Sequence, residues 1–170
     1  EQVLTTAMEG GLVTDAVIAK SSQQAATLWA LREGISTAQV SCGKAIKHDI
    51  ALPISALGAF VNEADEICRK AYPDFPVINF GHVGDGNLHY NVLAPKAVDD
   101  EIYQAATLEL NRKIHDLVTQ YKGSISAEHG VGQLRRDELK RYKSSVEYDL
   151  MMTIKRALDP NQLMNPGKLI

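Results

Sequence analysis

The strongest constraint on how this chain can fold is FGHVGDGNLHYN at residues 80–91. There an Asp85-Gly86 pair stands between two runs of strand-forming residues, with Val77, Ile78 and Val83 before it and Leu88, Tyr90 and Val92 after it. A tight hairpin needs positive φ at its turn, which Asp-Gly adopts readily, so the pattern predicts a β-hairpin with a type I′ turn at Asp85 and Gly86. In that register Val83 faces Leu88 and His82 faces His89, with Cβ atoms about 4.5–5.5 Å apart. Side chains alternate between faces along a strand, which puts Phe80 and Asn91 on the histidines' face. Two imidazoles so placed can close on one metal ion. A histidine pair in a strand also serves as an ordinary hydrogen-bonding or core feature, and the hairpin alone leaves both readings open.

The metal reading gains from SAEHGVG at residues 126–132, where Glu128 and His129 stand beside two glycines that let the backbone turn sharply. Two histidines and a carboxylate make a catalytic zinc set and equally the facial triad of non-haem iron enzymes, and spacing does not separate these metals. Neighbouring side chains of an extended segment point to opposite sides. Glu128 and His129 therefore aim at one point only if the glycine turn redirects one of them.

At 170 residues and 45% hydrophobic, residues 1–170 are read as one domain able to bury its own core. The chain starts at Glu1 in helix-like sequence, which suggests a piece of something longer. Eighteen Lys and Arg against 21 acidic residues give a net charge of −3, with no basic patch suited to a phosphate backbone, so nucleic acid is not expected as a partner. Cys42 and Cys68 form no CxxC and read as reduced thiols with a packing role in a cytoplasmic-type compartment. The longest apolar stretch, residues 50–61, is interrupted by Pro53 and Ser55 and falls short of the roughly 20 residues of a spanning helix. The glycines at 81, 84 and 86 do not make a nucleotide loop, because they lie in a hairpin and not between strand and helix.

Along the chain, residues 3–8 read as a helix stopped by Gly10-Gly11, residues 13–19 as a β-branched strand, and residues 22–39 as an amphipathic helix opened by a capping box at Ser21. Arg32 and Ser36 share its other face. Ile46, Ile50 and Leu52 alternate with Lys47, Asp49 and Ala51 in a strand whose apolar side includes His48, read as a core histidine. Helices follow at residues 56–71 and 98–121, the second with His115 on its solvated side, then a short strand at residues 124–127 and a helix at residues 134–142. A final helix opens with a capping box at Ser144 and carries Val146, Leu150, Ile154 and Leu158 on one side. The order predicts an α+β fold, with a largely antiparallel sheet covered on one face by helices, a ferredoxin-like elaboration with C-terminal helices and a tail. The uncovered face would carry His82, His89, Asn91 and Lys47, and a partner domain is expected to lid it.

GHVGDGNLHYNV, SAEHGVG and LDPNQLMNPGKL, in this order, resemble the C-terminal substrate domain of FAD-linked oxidases from about Trp29 to the end. The similarity points to the D-2-hydroxyacid dehydrogenase branch, which includes D-lactate and D-2-hydroxyglutarate dehydrogenases and the glycolate oxidase flavoprotein subunit. The resemblance implies that His82, His89 and Glu128 ligate a divalent metal, expected to be zinc, with His129 as the base beside it. It also implies that Arg32, Ser36, Lys47 and Asn91 bind substrate and that Asn165 lies near the flavin. FAD is then held mainly by a separate N-terminal FAD domain, and the isolated chain is expected to carry no flavin and no activity. In the implied reaction a small 2-hydroxy acid is fixed by Arg32 and Lys47, loses its hydroxyl proton to His129 and its α-hydrogen toward the flavin, and leaves as a 2-oxo acid. A downstream electron acceptor would reoxidise the flavin, in the cytoplasm or at a membrane periphery. Which hydroxy acid is used, and whether the protein is a homodimer, stay open. The residues alone also fit a self-contained metal enzyme or a noncatalytic metal- or carboxylate-binding module.

Overall fold

The computed structural model describes residues 1–170, which form two compact units, Glu1–Ser41 and Cys42–Ile170. The first unit is helical. Helix α1 (Gln2–Glu9) ends at Gly10, and α2 (Ser22–Glu33) starts where the Ser21 side chain accepts the Gln24 N–H. The Gln24 side chain accepts from Lys20 N–H, so the expected box closes one residue early. Gly34 divides the helix predicted over 22–39, and α3 (Ile35–Val40) follows it. Glycine disfavours a helix interior because it has the most backbone freedom to lose. Residues 13–19, expected as a strand, have no strand assignment and no ladder partner.

The second unit is built on β1 (Lys44–Ala51), α4 (Leu57–Ala71), β2 (Val77–His82), β3 (Asn87–Ala94) and α5 (Asp100–Gln120), followed by α6 (Arg136–Tyr142) and α7 (Ser145–Leu158). The sheet is antiparallel with order β1-β3-β2. Beyond β1, Ser124 makes an isolated antiparallel bridge to Ala51, which is all that forms of the strand expected at 124–127. With that bridge counted as a vestigial fourth strand, the connectivity is that of a ferredoxin-like βαββαβ unit.

One face of the sheet makes the core. Ile46, His48 and Ile50 of β1 pair with Val92, Tyr90 and Leu88 of β3. This layer is sealed by Phe60 and Ala64 of α4 and by Leu110, Ile114 and Val118 of α5. Tyr90 packs edge-on to Phe60, and its hydroxyl reaches Asp65 at 2.8 Å, so the largest buried side chain leaves no polar atom unmatched. His48 is a core histidine as expected, its Nδ1 lying 2.8 Å from the Tyr90 carbonyl oxygen. Burial pushes its pKa down from 6.5 to about 3, against the pull of that hydrogen bond, so it stays neutral. His115, in contrast, is not solvated. It is buried on α5, edge-on to His48, with Nδ1 3.0 Å from Glu138 of α6, and burial lowers its pKa too.

Helix ends follow the predicted chemistry. The Asp99 side chain accepts Ile102 N–H at the start of α5, and Ser144 and Glu147 close a reciprocal capping box on α7. The apolar row of α7, Val146, Leu150, Ile154 and Leu158, is exposed. Neither cysteine is in a disulfide; Cys68 is buried against the Tyr90 hydroxyl and Cys42 is exposed, so the packing role holds for Cys68 alone. No helix is long and apolar enough to cross a membrane.

The hairpin forms, but its register differs from the expectation. The loop is residues 83–86, with His82 opposite Asn87 and Phe80 opposite His89. The Asp85 carboxylate accepts Asn87 N–H at 3.0 Å, an Asx turn that replaces the type I′ turn. Gly86 takes φ +75°, and its carbonyl accepts Leu52 N–H at 2.9 Å, tying the loop to the end of β1. A Cβ at residue 86 would lie 2.0 Å from the Leu52 carbonyl oxygen, so no other residue fits without moving the backbone.

Candidate metal and substrate site

The second face of the sheet is polar because β1 and β3 alternate. Lys47 pairs with Asn91 and Asp49 with His89, while Phe80 of β2 flanks His89 on its other side. The two-residue difference in hairpin register leaves every side chain on its predicted face. His82 and His89 are therefore diagonal neighbours, with ring centroids 6.3 Å apart.

A loop following α5 covers part of this face. Ala127 N–H donates to the Asp49 carbonyl, and the next two amides, of Glu128 and His129, both donate to Asp49 Oδ2, at 2.9 and 2.8 Å. Gly130 (φ +71°) and Gly132 (φ +58°) then turn the chain away. The Arg135 guanidinium holds the loop from behind, donating to the carbonyls of Ile125 (3.1 Å) and Lys47 (2.7 Å). Although adjacent, Glu128 and His129 both bring their side chains to the same cluster.

The Glu128 carboxylate lies between two imidazoles. Its Oε1 is 3.4 Å from His82 Nδ1, and its Oε2 is 3.6 Å from His89 Nε2. Two donors on a tetrahedral ion with bonds of about 2.0–2.1 Å stand roughly 3.3–3.4 Å apart, so each imidazole sits about one such separation from a Glu128 oxygen, although His82 falls outside the set of ligand atoms that all lie within 4.8 Å of one another. Asp49, His89, Glu128 and His129 also bring ligand atoms within 4.8 Å of one another. In that grouping His129 stands as a further donor, its ring stacked on His89 at 5.7 Å. Asp49 is the least suited to ligation, because its oxygens already accept the Glu128 and His129 amides and the Asn87 side-chain amide (3.0 Å). Burial raises the Asp49 pKa, but those N–H donors outweigh it and hold the carboxyl below the usual carboxylate range. Burial lowers the His89 pKa, against the opposing charges of Asp49 and Glu128, so the imidazole favours its neutral, ligating form.

The sequence-predicted residues divide by location. His82, His89, Glu128 and His129 come together, and Lys47 and Asn91 form the neighbouring cross-strand pair on the same face. Arg32 and Ser36 lie on α2 and α3 of the first unit. Asn165 is in the C-terminal tail at φ +48°, its carbonyl accepting Lys168 N–H. Sequence reasoning missed Asp49 and Arg135. Asp49 had a signal, an acidic residue at the centre of a strand on the face shared with the site. Arg135 had none, since its guanidinium binds backbone carbonyls that only the folded chain brings together.

A family model described as FAD linked oxidases, C-terminal domain, matches residues 1–169. The chain is 43% identical over 99% of its length to a D-2-hydroxyglutarate dehydrogenase of Stutzerimonas stutzeri (strain A1501), of which it covers 37%. It is 46% identical over 96% of its length to a D-2-hydroxyglutarate dehydrogenase of Xanthomonas citri pv. viticola, covering 34% of that protein. A putative mitochondrial D-lactate dehydrogenase of Schizosaccharomyces pombe is 33% identical over 96% of the chain, which covers 32% of it. The chain thus spans about a third of the length of the curated relatives it matches.

Proposed function

Because this chain belongs to the C-terminal domain family of FAD-linked oxidases, we propose that it supplies the substrate and metal half of a flavin-dependent dehydrogenase that converts a D-2-hydroxy acid to its 2-oxo acid. The observation that carries the metal half is the Glu128 carboxylate set between His82 and His89 at 3.4 and 3.6 Å. These three residues are the proposed ligands, with zinc the first ion to test given two nitrogens and one oxygen. When bound, the ion supplies Lewis acidity toward the substrate's hydroxyl, and the flavin, carried by the rest of the longer protein, supplies the two-electron acceptor.

The chain's own residues do the remaining work. Lys47, exposed on the face next to the cluster, offers a cation for the substrate carboxylate, and Asn91 beside it offers an amide. Arg32 contributes a two-pronged carboxylate contact and Ser36 a hydroxyl, roles that rest on the family motif alone. His129 takes the hydroxyl proton. Its side chain is 69% exposed, so the imidazole is open to a ligand while its backbone is pinned by Asp49. With a bound flavin accepting the α-hydrogen and its electron pair, His129 would hold the hydroxyl proton released as the C–O bond becomes a carbonyl. Asn165 is assigned to the flavin side. D-2-hydroxyglutarate is the first substrate to test, since it names the two bacterial relatives described above, at 43% and 46% identity.

The test is metal content of the purified full-length protein and its His89→Ala variant after chelation and refilling. The expected result is stoichiometric metal in the parent and strong depletion in the variant. Equal content would remove the site.

A further inference from the structure

Resting on the metal reading above, we infer that Asp49 is the positioning residue that fixes the tautomers of both His89 and His129, making Nε2 the ligating nitrogen of His89 and the basic nitrogen of His129. The Asp49 side chain is 3% exposed and meets the cluster with both oxygens. Oδ2 accepts the amides of Glu128 and His129 at 2.9 and 2.8 Å and lies 3.3 Å from His129 Nδ1. Oδ1 accepts the Asn87 side-chain amide at 3.0 Å and lies 3.6 Å from His89 Nδ1. Both imidazoles thus turn Nδ1 toward one carboxylate. A lone pair on either Nδ1 would face the negative charge, whereas an N–H dipole is attracted to it. His89 also has the Glu128 carboxylate 3.6 Å from Nε2, but Glu128 is 46% exposed and screened by solvent while Asp49 is buried, so Asp49 prevails and each ring keeps its proton on Nδ1. The freed Nε2 of His89 is the atom aimed at Glu128 Oε2, 3.6 Å away. Carboxylates behind a ligating imidazole act this way in metal sites generally, and their loss weakens metal binding about 10–100-fold.

Asp49→Asn separates this role from simple packing. The two backbone amides hold the one remaining carbonyl oxygen on the Oδ2 side, so the new NH2 group falls on the Oδ1 side, facing Asn87 and His89 Nδ1. Asn87 Oδ1 is buried without a partner, and a flip of that amide lets it accept from the new donor, so the fold tolerates the change. His89 tolerates it only by presenting a lone pair at Nδ1, which moves its proton to Nε2, the nitrogen proposed to bind the metal.

The experiment uses the metal-free full-length protein carrying nitrogen-15 histidine at about pH 7.5, a pH unit above the ordinary imidazole value. Long-range nitrogen–proton correlations report which ring nitrogen is protonated, and His89→Gln and His129→Gln variants assign the signals. The expected result is Nδ1–H on both rings in the parent, Nε2–H on His89 in Asp49→Asn, and zinc affinity about 10–100-fold weaker in that variant by chelator competition. Nε2–H on either ring of the parent overturns the inference, as does an Asp49→Asn variant with unchanged tautomer and affinity. If Asp49→Asn does not fold, the parent spectrum alone decides. A loosened loop would weaken metal binding without moving the His89 proton, and that combination also counts against it. A parent with both Nδ1 protons that takes up no zinc would contradict the metal reading while leaving the tautomer assignment in place.

Discussion

At the scale of single residues, the site is a set of side chains whose roles depend on which atoms face which. His129 is the sharpest case, because its Nδ1 lies 3.3 Å from Asp49 while its ring stacks beside His89, a position open to either a base or a further ligand. As a base, it should be replaceable by asparagine with the metal retained and turnover reduced about 10²–10⁴-fold. Metal analysis beside steady-state kinetics of His129→Asn in the full-length enzyme checks this, and joint loss of metal and activity would make it a ligand. The types of these residues were legible in the sequence, since imidazoles and a carboxylate flanked by glycines announce metal or proton chemistry. Asp49 was legible only as part of a charged strand face. That its carboxylate organises the loop depends on amides 79 and 80 residues further along the chain, a contact no local pattern encodes.

At the scale of elements, strong periodicity gave helices α4, α5 and α7 and strand β1 within a few residues, because each has an apolar row that buries or can bury one face. The hairpin was found from Asp-Gly, but its register was not, because an Asx turn at Asp85 satisfies the same residues as a type I′ turn. The faces survived since a shift of two residues preserves alternation, and that is why His82 and His89 still share a face although they are not paired. The strand expected at residues 13–19 fails for a different reason: β-branched residues favour extension, but a strand needs a partner for its amides. His115 was misplaced because α5 buries a wider stripe than its aliphatic row, with Glu138 of α6 accepting the imidazole. The hairpin loop gives a direct test. Gly86→Ala meets both a positive φ and a 2.0 Å approach to the Leu52 carbonyl oxygen, so it should lower unfolding free energy by about 2–4 kcal/mol. Urea denaturation measures this, and a loss under about 0.5 kcal/mol would show that the loop is not tied to β1 as described.

At the scale of the whole molecule, the sheet separates two kinds of histidine, a neutral buried pair on the core face and the site's imidazoles on the other. His48 and His115 both have folded-state pKa values below their unfolded value of 6.5. The unfolded chain therefore binds more protons below that pH, and the stability these groups contribute is present above about pH 6.5 and lost as pH falls toward their folded values. Unfolding free energy should drop by up to about 1.4 kcal/mol per pH unit between roughly pH 6.5 and 5 from His48, whose folded value is about 3, with His115 adding to the slope until pH reaches its own lowered value. Urea titrations across that window should show the slope, and His115→Gln should reduce it; a flat profile would mean that these rings are not buried neutral. Under the proposed function the polar face meets a different demand, since it would gather ligands, cations and a base while the flavin would be held outside this chain, which spans about a third of the length of its curated relatives. The most direct test of that account is anaerobic bleaching of the flavin by D-2-hydroxyglutarate in the full-length enzyme, before and after metal removal and again with zinc restored. The account predicts that stripped enzyme bleaches at least about 100-fold more slowly, that one zinc per polypeptide restores the rate, and that Glu128→Gln is not restored. Equal bleaching rates with and without the metal would contradict it.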